Sequence, residues 1–523
     1  MKRRSFLRAA SAMAVPVILP TGSFMAMPKS GIFSGISDES DRILVLVQLN
    51  GGNDGLHTVI PVEFYRGLAL NRPNFVIPET SILDINDSFG FHPNMVGMKN
   101  LYDNEKMHVI QGVAYPNQNR SHFRSTDIWQ TASDANEFLT TGWMGRYFDD
   151  TVDGYPEGYP NEEYPHPFAL SIGTFVSETC QGTISNYSLA TTGQPSQNND
   201  DGDGDGIPDT VEDDGTFYSY ELNFLKRSLA QADAYGAVLD TALEAGNNMA
   251  DYPDGNRLAN QLSIVARLIS GGLQTKVYVV SLGGFDTHAN QIVAGDSLNG
   301  EHATLLQQLS DAISAFQSDL ELMDVHDRVL GMTYSEFGRQ IKNNLSFGTD
   351  HGTAAPLFVF GSCVQPGFTG EQIDLPTDLE PGAGVPMQYD FRSIYGTVLV
   401  DWFKADESSV RNYIFPDYQH LPILKECSIT VSNEDTPLID PVFNVFPNPA
   451  QDYTKVTFDL MRSAHVRVSV SDVLGRELIL ATGQKMDAGI HEMTLEIGSL
   501  PTGTYYVRVQ ADAVQKVRTI IKL

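Results

Sequence analysis

The sequence predicts an α/β domain with a mostly parallel sheet sandwiched by helices, followed by a small all-β sandwich. Three observations carry this prediction. Between residues 40 and 427, continuous apolar runs of strand length alternate with helical patterns, as in sheets buried on both faces. From about residue 441 the pattern changes to short runs of period two. The composition, 41% hydrophobic and 19% charged over 523 residues, is that of a globular protein, with roughly three to four domains' worth of chain.

In chain order, strands are predicted at Ile43 to Leu49, Met107 to Val113, Lys276 to Leu282, Arg328 to Tyr334 and Pro356 to Phe360. Helices are predicted at Tyr220 to Glu244, Asn256 to Ile269, Glu301 to Met323 and Phe391 to Phe403. The third helix is the clearest. Leu306, Leu309, Ile313, Phe316 and Leu320 recur at spacings of three and four and form one apolar stripe. In residues 441–523, Val456/Phe458/Leu460, Val466/Val468/Val470, Met493/Leu495/Ile497 and Tyr505/Val507/Val509 each mark one face of a strand. Turn signals at Gly475, Gly489 and Pro501-Thr502-Gly503 separate them, which argues a β-sandwich.

Charge excludes one class of partner. The formal net charge is −31, a surface that repels phosphate backbones, so no nucleic acid is expected. Residues 1–29 hold five basic and no acidic residues, and residues 441–523 hold nine basic against eight acidic, so the acidity lies in the α/β region. Three cysteines, Cys180, Cys363 and Cys427, are too few for a disulfide scaffold; one disulfide and one free thiol fit, with the pair open. Lys2-Arg3-Arg4-Ser5-Phe6-Leu7-Arg8 and the short apolar stretch Ala9 to Leu19 read as an export signal within residues 1–29. Its paired arginines are similar to a twin-arginine signal, with a general secretory signal as the alternative. No transmembrane segment is expected in the mature chain.

Ligands of open α/β sheets bind beyond the carboxyl ends of the strands, and these positions are rich in reactive side chains. Asn50-Gly51-Gly52-Asn53-Asp54-Gly55 follows the first strand, and Asn119-Arg120-Ser121-His122-Phe123-Arg124 follows the second. Gly283-Gly284-Phe285-Asp286-Thr287-His288 and Ser335-Glu336-Phe337-Gly338-Arg339 follow the third and fourth, and Gly348-Thr349-Asp350-His351-Gly352 leads into the fifth. Gathering Asp54, Asp286, Glu336 and Asp350 without a cation would cost heavily in repulsion. Mixed carboxylate and imidazole ligation suits zinc or manganese better than calcium. His92 and His302 are plausible neighbours. Ser121 is either a nucleophile or a helix N-cap, Arg120, Arg124 or Arg339 could hold an anion, and His122 could serve as acid or base.

Residues 40 to 425 resemble the exported proteins of the DUF1501 family. The resemblance runs through Leu49 to Leu56, Arg120-Ser121-His122-Phe123, Gly142-Trp143-Met144-Gly145-Arg146, Gly284 to His288, Ser335 to Arg339 and Thr349 to Gly352. That family is similar to the alkaline phosphatase and sulfatase superfamily. The resemblance implies an alkaline phosphatase-like fold and a hydrolase of phosphate or sulfate esters. It further implies Asp54, Asp286, His288, Asp350 and His351 as metal ligands and Ser121 at the nucleophile position. The superfamily commonly spaces Asp and His as D-x-x-x-H, whereas Asp286 and His288 are two apart, and Glu336-Phe337 stands where relatives have an Asp-His pair; the number of metals stays open. Phe446-Pro447-Asn448-Pro449-Ala450, Asp472 to Glu477 and Leu500 to Val507 resemble the sorting domain of type IX secretion cargo. This implies export through the periplasm, the secretion machinery as a partner, and a secreted or outer cell-surface location; an ordinary Ig-like module is the alternative.

Between residues 198 and 214, Asp201, Asp203, Asp205, Ile207, Asp209 and Glu212 stand at loop positions 1, 3, 5, 7, 9 and 12, with Gly206 at position 6. This is the layout of an EF-hand-type calcium loop, against the alternative of a solvated acidic linker. Two function classes follow. One is a secreted or surface metal-dependent hydrolase of a small anionic ester; the other is a non-catalytic surface protein of the same fold that binds glycans or protein partners.

Overall fold

The computed structural model describes residues 41–194, 217–376, 378–426, 444–460, 464–471, 476–487, 489–511 and 514–523. The expected export signal, the expected calcium loop at 201–212 and Cys427 lie outside them. The chain divides into two compact units, Met1–Ile429 and Thr430–Leu523.

The first unit is built on a nine-stranded sheet. Its order is Gly367–Thr369, Met107–Ala114, Ala355–Phe360, Val329–Tyr334, Ile43–Asn50, Val277–Gly283, Ala169–Ile172, Ser188–Thr191, with Tyr389–Asp390 added beside Met107–Ala114. Ile43–Asn50 is central and runs parallel to both neighbours, with Leu44 facing Val277 on one side and Leu330 on the other. All pairings are parallel except those of Ala355–Phe360, which is antiparallel to both neighbours. That reversal is what brings Asp350 and His351, which precede this strand, to the same edge as the residues that follow the other strands. The two strands Ala169–Ile172 and Ser188–Thr191 were not expected from the sequence, because four residues each carry too little periodicity to stand out.

Ile43, Val45, Val47 and Leu49 pack on one face of the sheet against Leu262, Val265, Leu306, Leu309, Ile313 and Phe316. Leu44 and Leu46 point the other way, among Trp129, Trp143, Tyr395 and Trp402. The helices Phe217–Ala245, Arg257–Ser270, Glu301–Leu322 and Phe391–Thr397 fall where their apolar stripes predict, the last continuing as a wider π turn over Val398–Trp402. Asn256 caps the second of these, its side chain accepting from the N–H groups of Leu258 and Ala259. Cys363 is disulfide-bonded, as suits an oxidising exterior, and Cys180 is a buried free thiol.

The second unit is a β-sandwich. A three-stranded antiparallel sheet, Asn444–Phe446, Tyr453–Leu460 and Gly489–Glu496, accompanies a four-stranded one of Glu477–Met486, Ala464–Ser471, Gly503–Ala511 and Val514–Lys522. The alternating residues Val456, Phe458, Leu460, Val466, Val468, Val470, Leu495, Ile497, Val507 and Val509 form its core.

Candidate metal centre

The strand ends converge through two backbone devices. Gly51 and Gly52 carry φ values of +120° and +83°, and a Cβ on Gly51 would lie 2.2 Å from the Asp286 nitrogen, so only glycine lets the two loops touch. Arg339, 1% exposed, then pins them: its guanidinium donates to the carbonyls of Gly51, Gly52 (2.8 Å), Phe285 (2.9 Å) and Thr349 (2.9 Å), and to Asp286 Oδ1 (2.8 Å). The short antiparallel pair Arg339–Asn343 and Thr349–His351 places His351 opposite Arg339.

Three histidines surround Asp286. Its Oδ1 lies 3.1 Å from His351 Nε2, 3.2 Å from His288 Nε2 and 3.4 Å from His122 Nε2. His288 Nε2 and His351 Nε2 are 2.9 Å apart. His122, Asp286 and His351 offer ligand atoms within 4.8 Å of one another, the one such group of three found among the described residues.

The far nitrogens of the three rings decide what this cluster can be. His122 Nδ1 meets Glu336 Oε1 at 2.8 Å, His288 Nδ1 meets Asp350 Oδ1 at 2.8 Å, and His351 Nδ1 meets the Arg120 carbonyl at 2.8 Å. A carbonyl and ionised carboxylates only accept, so each neutral ring carries its proton on Nδ1 and turns the lone pair of Nε2 toward Asp286. Two lone pairs 2.9 Å apart beside a carboxylate repel, unless an extra proton or a cation stands among them. His122 Nε2 is buried with no hydrogen bond. The ligand atoms of His122, Asp286 and His351 are close enough together for one ion to bind all three, and His288 Nε2 lies beside them, 2.9 Å from His351 Nε2. The residues present therefore fit a divalent ion, and each histidine has the orienting acceptor that metal-bound imidazoles have. Asp286 is itself held ionised: burial would raise its carboxyl, but the Arg339 guanidinium bonded to it outweighs this and brings it to about 2.

Several expected ligands are placed differently. Glu336, 2% exposed, accepts from the Gly51 N–H as well as facing His122, and Asp350 faces His288 and Asn344; both stand behind the imidazoles as their anchors. Asp286 and His288 reach one point despite their short spacing, because the His288 N–H folds back onto the Asp286 carbonyl. Asp54 is not brought to the cluster. It is fully buried and pairs with Arg72 through both oxygens, at 2.7 and 2.9 Å, while Gln291 donates to it at 2.5 Å. Burial pushes its carboxyl up, yet Arg72, with His302 and His57, holds it at about 2. Arg72 is the partner that matters near neutrality, since burial, then the facing imidazole of His302, lowers His57 to about 3, and burial lowers His302 to about 3.

Around Asp54 lies a second, sealed cluster. His57 Nδ1 and His302 Nδ1 are 3.0 Å apart, His302 Nε2 meets Asn53 Oδ1 at 3.0 Å, and the His57 and His92 rings are 4.8 Å apart. Burial holds His92 at about 2. His57, three residues after Asp54, lies in the short helix Gly55–Thr58 that follows the glycine turn, a neighbour that only its spacing from Asp54 signalled in the sequence.

Ser121 precedes the helix His122–Thr131, is exposed, and its hydroxyl makes no capping bond, so the N-cap role leaves its oxygen free. Arg120 donates to the Gly382 carbonyl at 2.9 Å, while its own carbonyl anchors His351. Arg124 is engaged with Asp127 and the Asp134 carbonyl.

Residues 217–383 match the family described as protein of unknown function DUF1501, and residues 444–523 match the secretion system C-terminal sorting domain. No curated protein matches the chain. Among solved structures, it is similar to the phosphonate monoester hydrolase SpPMH from Silicibacter pomeroyi, at 9% identity over 91% of this chain and 88% of the other, TM-score 0.31. A protein in the alkaline phosphatase superfamily from Vibrio parahaemolyticus is similar at 9% identity over 81% and 76%, TM-score 0.32. PorZ, a surface component of the type IX secretion system of Porphyromonas gingivalis, is similar at 18% identity over 19% of this chain, which spans 13% of PorZ, TM-score 0.13. No helix among the described residues is long and apolar enough to cross a membrane. The chain thus joins a region matching the DUF1501 family model to a type IX secretion sorting domain, which directs it to the cell surface or the outside.

Proposed function

We propose that the protein is a secreted or cell-surface metal-dependent hydrolase of phosphate or sulfate esters. One observation carries the reading: three imidazoles, each with Nδ1 anchored on an acceptor, aim Nε2 at a single carboxylate oxygen in a half-exposed cleft. Asp286, His122, His288 and His351 would hold one divalent ion, zinc or manganese, with Glu336 and Asp350 fixing the rings. Such an ion supplies charge neutralisation at the ester's oxygens and activates a nucleophile. With both nitrogens of His122 engaged, acid–base work falls to another group. Ser121, exposed beside His122, would supply the nucleophilic oxygen, and Arg120, in the same loop, would hold an anionic oxygen of the substrate. Its domains would be an export signal at 1–29, an α/β domain at 40–427 with a calcium loop at 198–214, and a sorting domain at 441–523.

The test is metal analysis of the purified protein combined with turnover of aryl phosphates, aryl sulfates and phosphodiesters. Stoichiometric zinc or manganese and ester cleavage that both vanish in Asp286→Ala are expected. Metal bound without turnover of any ester would leave the non-catalytic binding protein as the reading.

A further inference from the structure

A recess of about 730 Å³ opens on the loop Asn290 to Thr304 and is lined by Asn290, Ile292, Val293, Asn299, Glu301 and Phe347 among others. That volume lies within the range of small-molecule sites. The recess is joined to the metal centre through the chain and the neighbouring loop at 344–347. Asn290 is two residues beyond His288, and its N–H donates to the Ser346 carbonyl, while Ile292 donates to that of Phe347. In the same loop Asn344 donates to the His288 carbonyl at 2.8 Å and to Asp350 Oδ1 at 3.2 Å.

The chemistry of the lining is selective. Glu301 is its one charged residue, so a second anionic group would be repelled. Neither the Asn290 amide nor the Glu301 carboxylate bonds to a described residue, which leaves hydrogen-bonding capacity facing the space. Ile292, Val293 and the Phe347 ring supply an apolar wall. A carboxylate and an amide for hydroxyls, set against an aromatic and aliphatic face, match a neutral sugar ring, which carries hydroxyls at its rim and C–H groups on its faces.

The backbone adds an independent sign. Asn290 and Phe347 have φ values of +55° and +56°, in the left-handed region. Asn tolerates this, but for a bulky Phe it is costly, and such residues concentrate at binding sites.

From these observations we infer that the recess seats a neutral sugar unit of the substrate, whose single anionic ester group lies over Asp286 and the three histidines. The placement of the ester rests on the hydrolase reading above; the sugar seat does not.

Saturation-transfer NMR on the full chain with methyl glycosides of glucose, galactose, mannose, fucose and N-acetylglucosamine tests this. At least one glycoside is expected to bind. Phe347→Gly, which suits its φ, should weaken binding roughly tenfold, and Glu301→Gln should weaken it too, with zinc affinity unchanged in both. Asp286→Ala should keep sugar binding. Silence across the panel, or binding unaltered in Phe347→Gly, overturns the proposal. Glycoside binding in a protein that cleaves no ester supports the sugar seat and removes only the hydrolase reading.

Discussion

Two clusters of one carboxylate and three histidines lie at the same sheet edge, and they differ in what surrounds them. At Asp286 the imidazoles are partly exposed, each Nδ1 has an acceptor, and the lone pairs converge. At Asp54 the imidazoles are sealed from water, one guanidinium neutralises the carboxylate, and two rings bond to each other through Nδ1. Identical side-chain types thus make the proposed cation site in one place and a neutral structural core in the other. The deciding factors are solvent access and the partner of the second ring nitrogen.

Acid should separate them most sharply. His57, His92 and His302 have folded values of about 3, 2 and 3, below the usual imidazole value of about 6.5. The unfolded chain therefore binds protons that the native state refuses as pH falls below about 6.5, and stability drops down to about 3. At pH 5 each imidazole that stays neutral costs about 2 kcal/mol. Denaturant titrations at pH 7 and pH 5 check this, and equal midpoints would contradict the sealed character of the Asp54 cluster.

Next in size is Arg72→Leu, which strands a buried carboxylate and should cost about 3–5 kcal/mol. The same variant, refolded or assayed below its melting point, should bind zinc normally, because Asp54 is not a ligand. Loss of zinc binding without unfolding would merge the two clusters. Zinc itself should stabilise the wild-type chain by about 2.7 kcal/mol at a hundredfold excess over Kd, and the gain should vanish in His351→Ala, as read by calorimetry. The smallest effect distinguishes ligand from anchor: Glu336→Gln and Asp350→Asn should each weaken zinc only about 10–100-fold by competition titration, against near-complete loss in Asp286→Ala.

Much of this architecture was legible in the sequence. The five apolar runs became strands with ends shifted by a residue or so, because a strand buried on both faces must be apolar throughout, and Leu44 and Val45 do face opposite cores. The sandwich core of residues 444–523 follows its alternation residue by residue. The convergence of Asp286, His288 and His351 was legible from their strand ends. The partners of Asp54, Glu336 and Asp350 were not, because a carboxylate's partner depends on which cation or N–H reaches it first. For Asp54 that group is Arg72, 18 residues away in a separate helix, and for Glu336 it is the imidazole of His122 and the N–H of Gly51.

Arg339 ties together segments almost three hundred residues apart in the chain. Because one guanidinium holds the turn at 51–52, the loop at 285–286 and the carbonyl of Thr349, the first and last of these cannot reach their working positions until translation has passed residue 349. Closure of this strand-end cluster is therefore a late event. A chain truncated ahead of this clamp would carry Asp286 and His122 with nothing to set them in register.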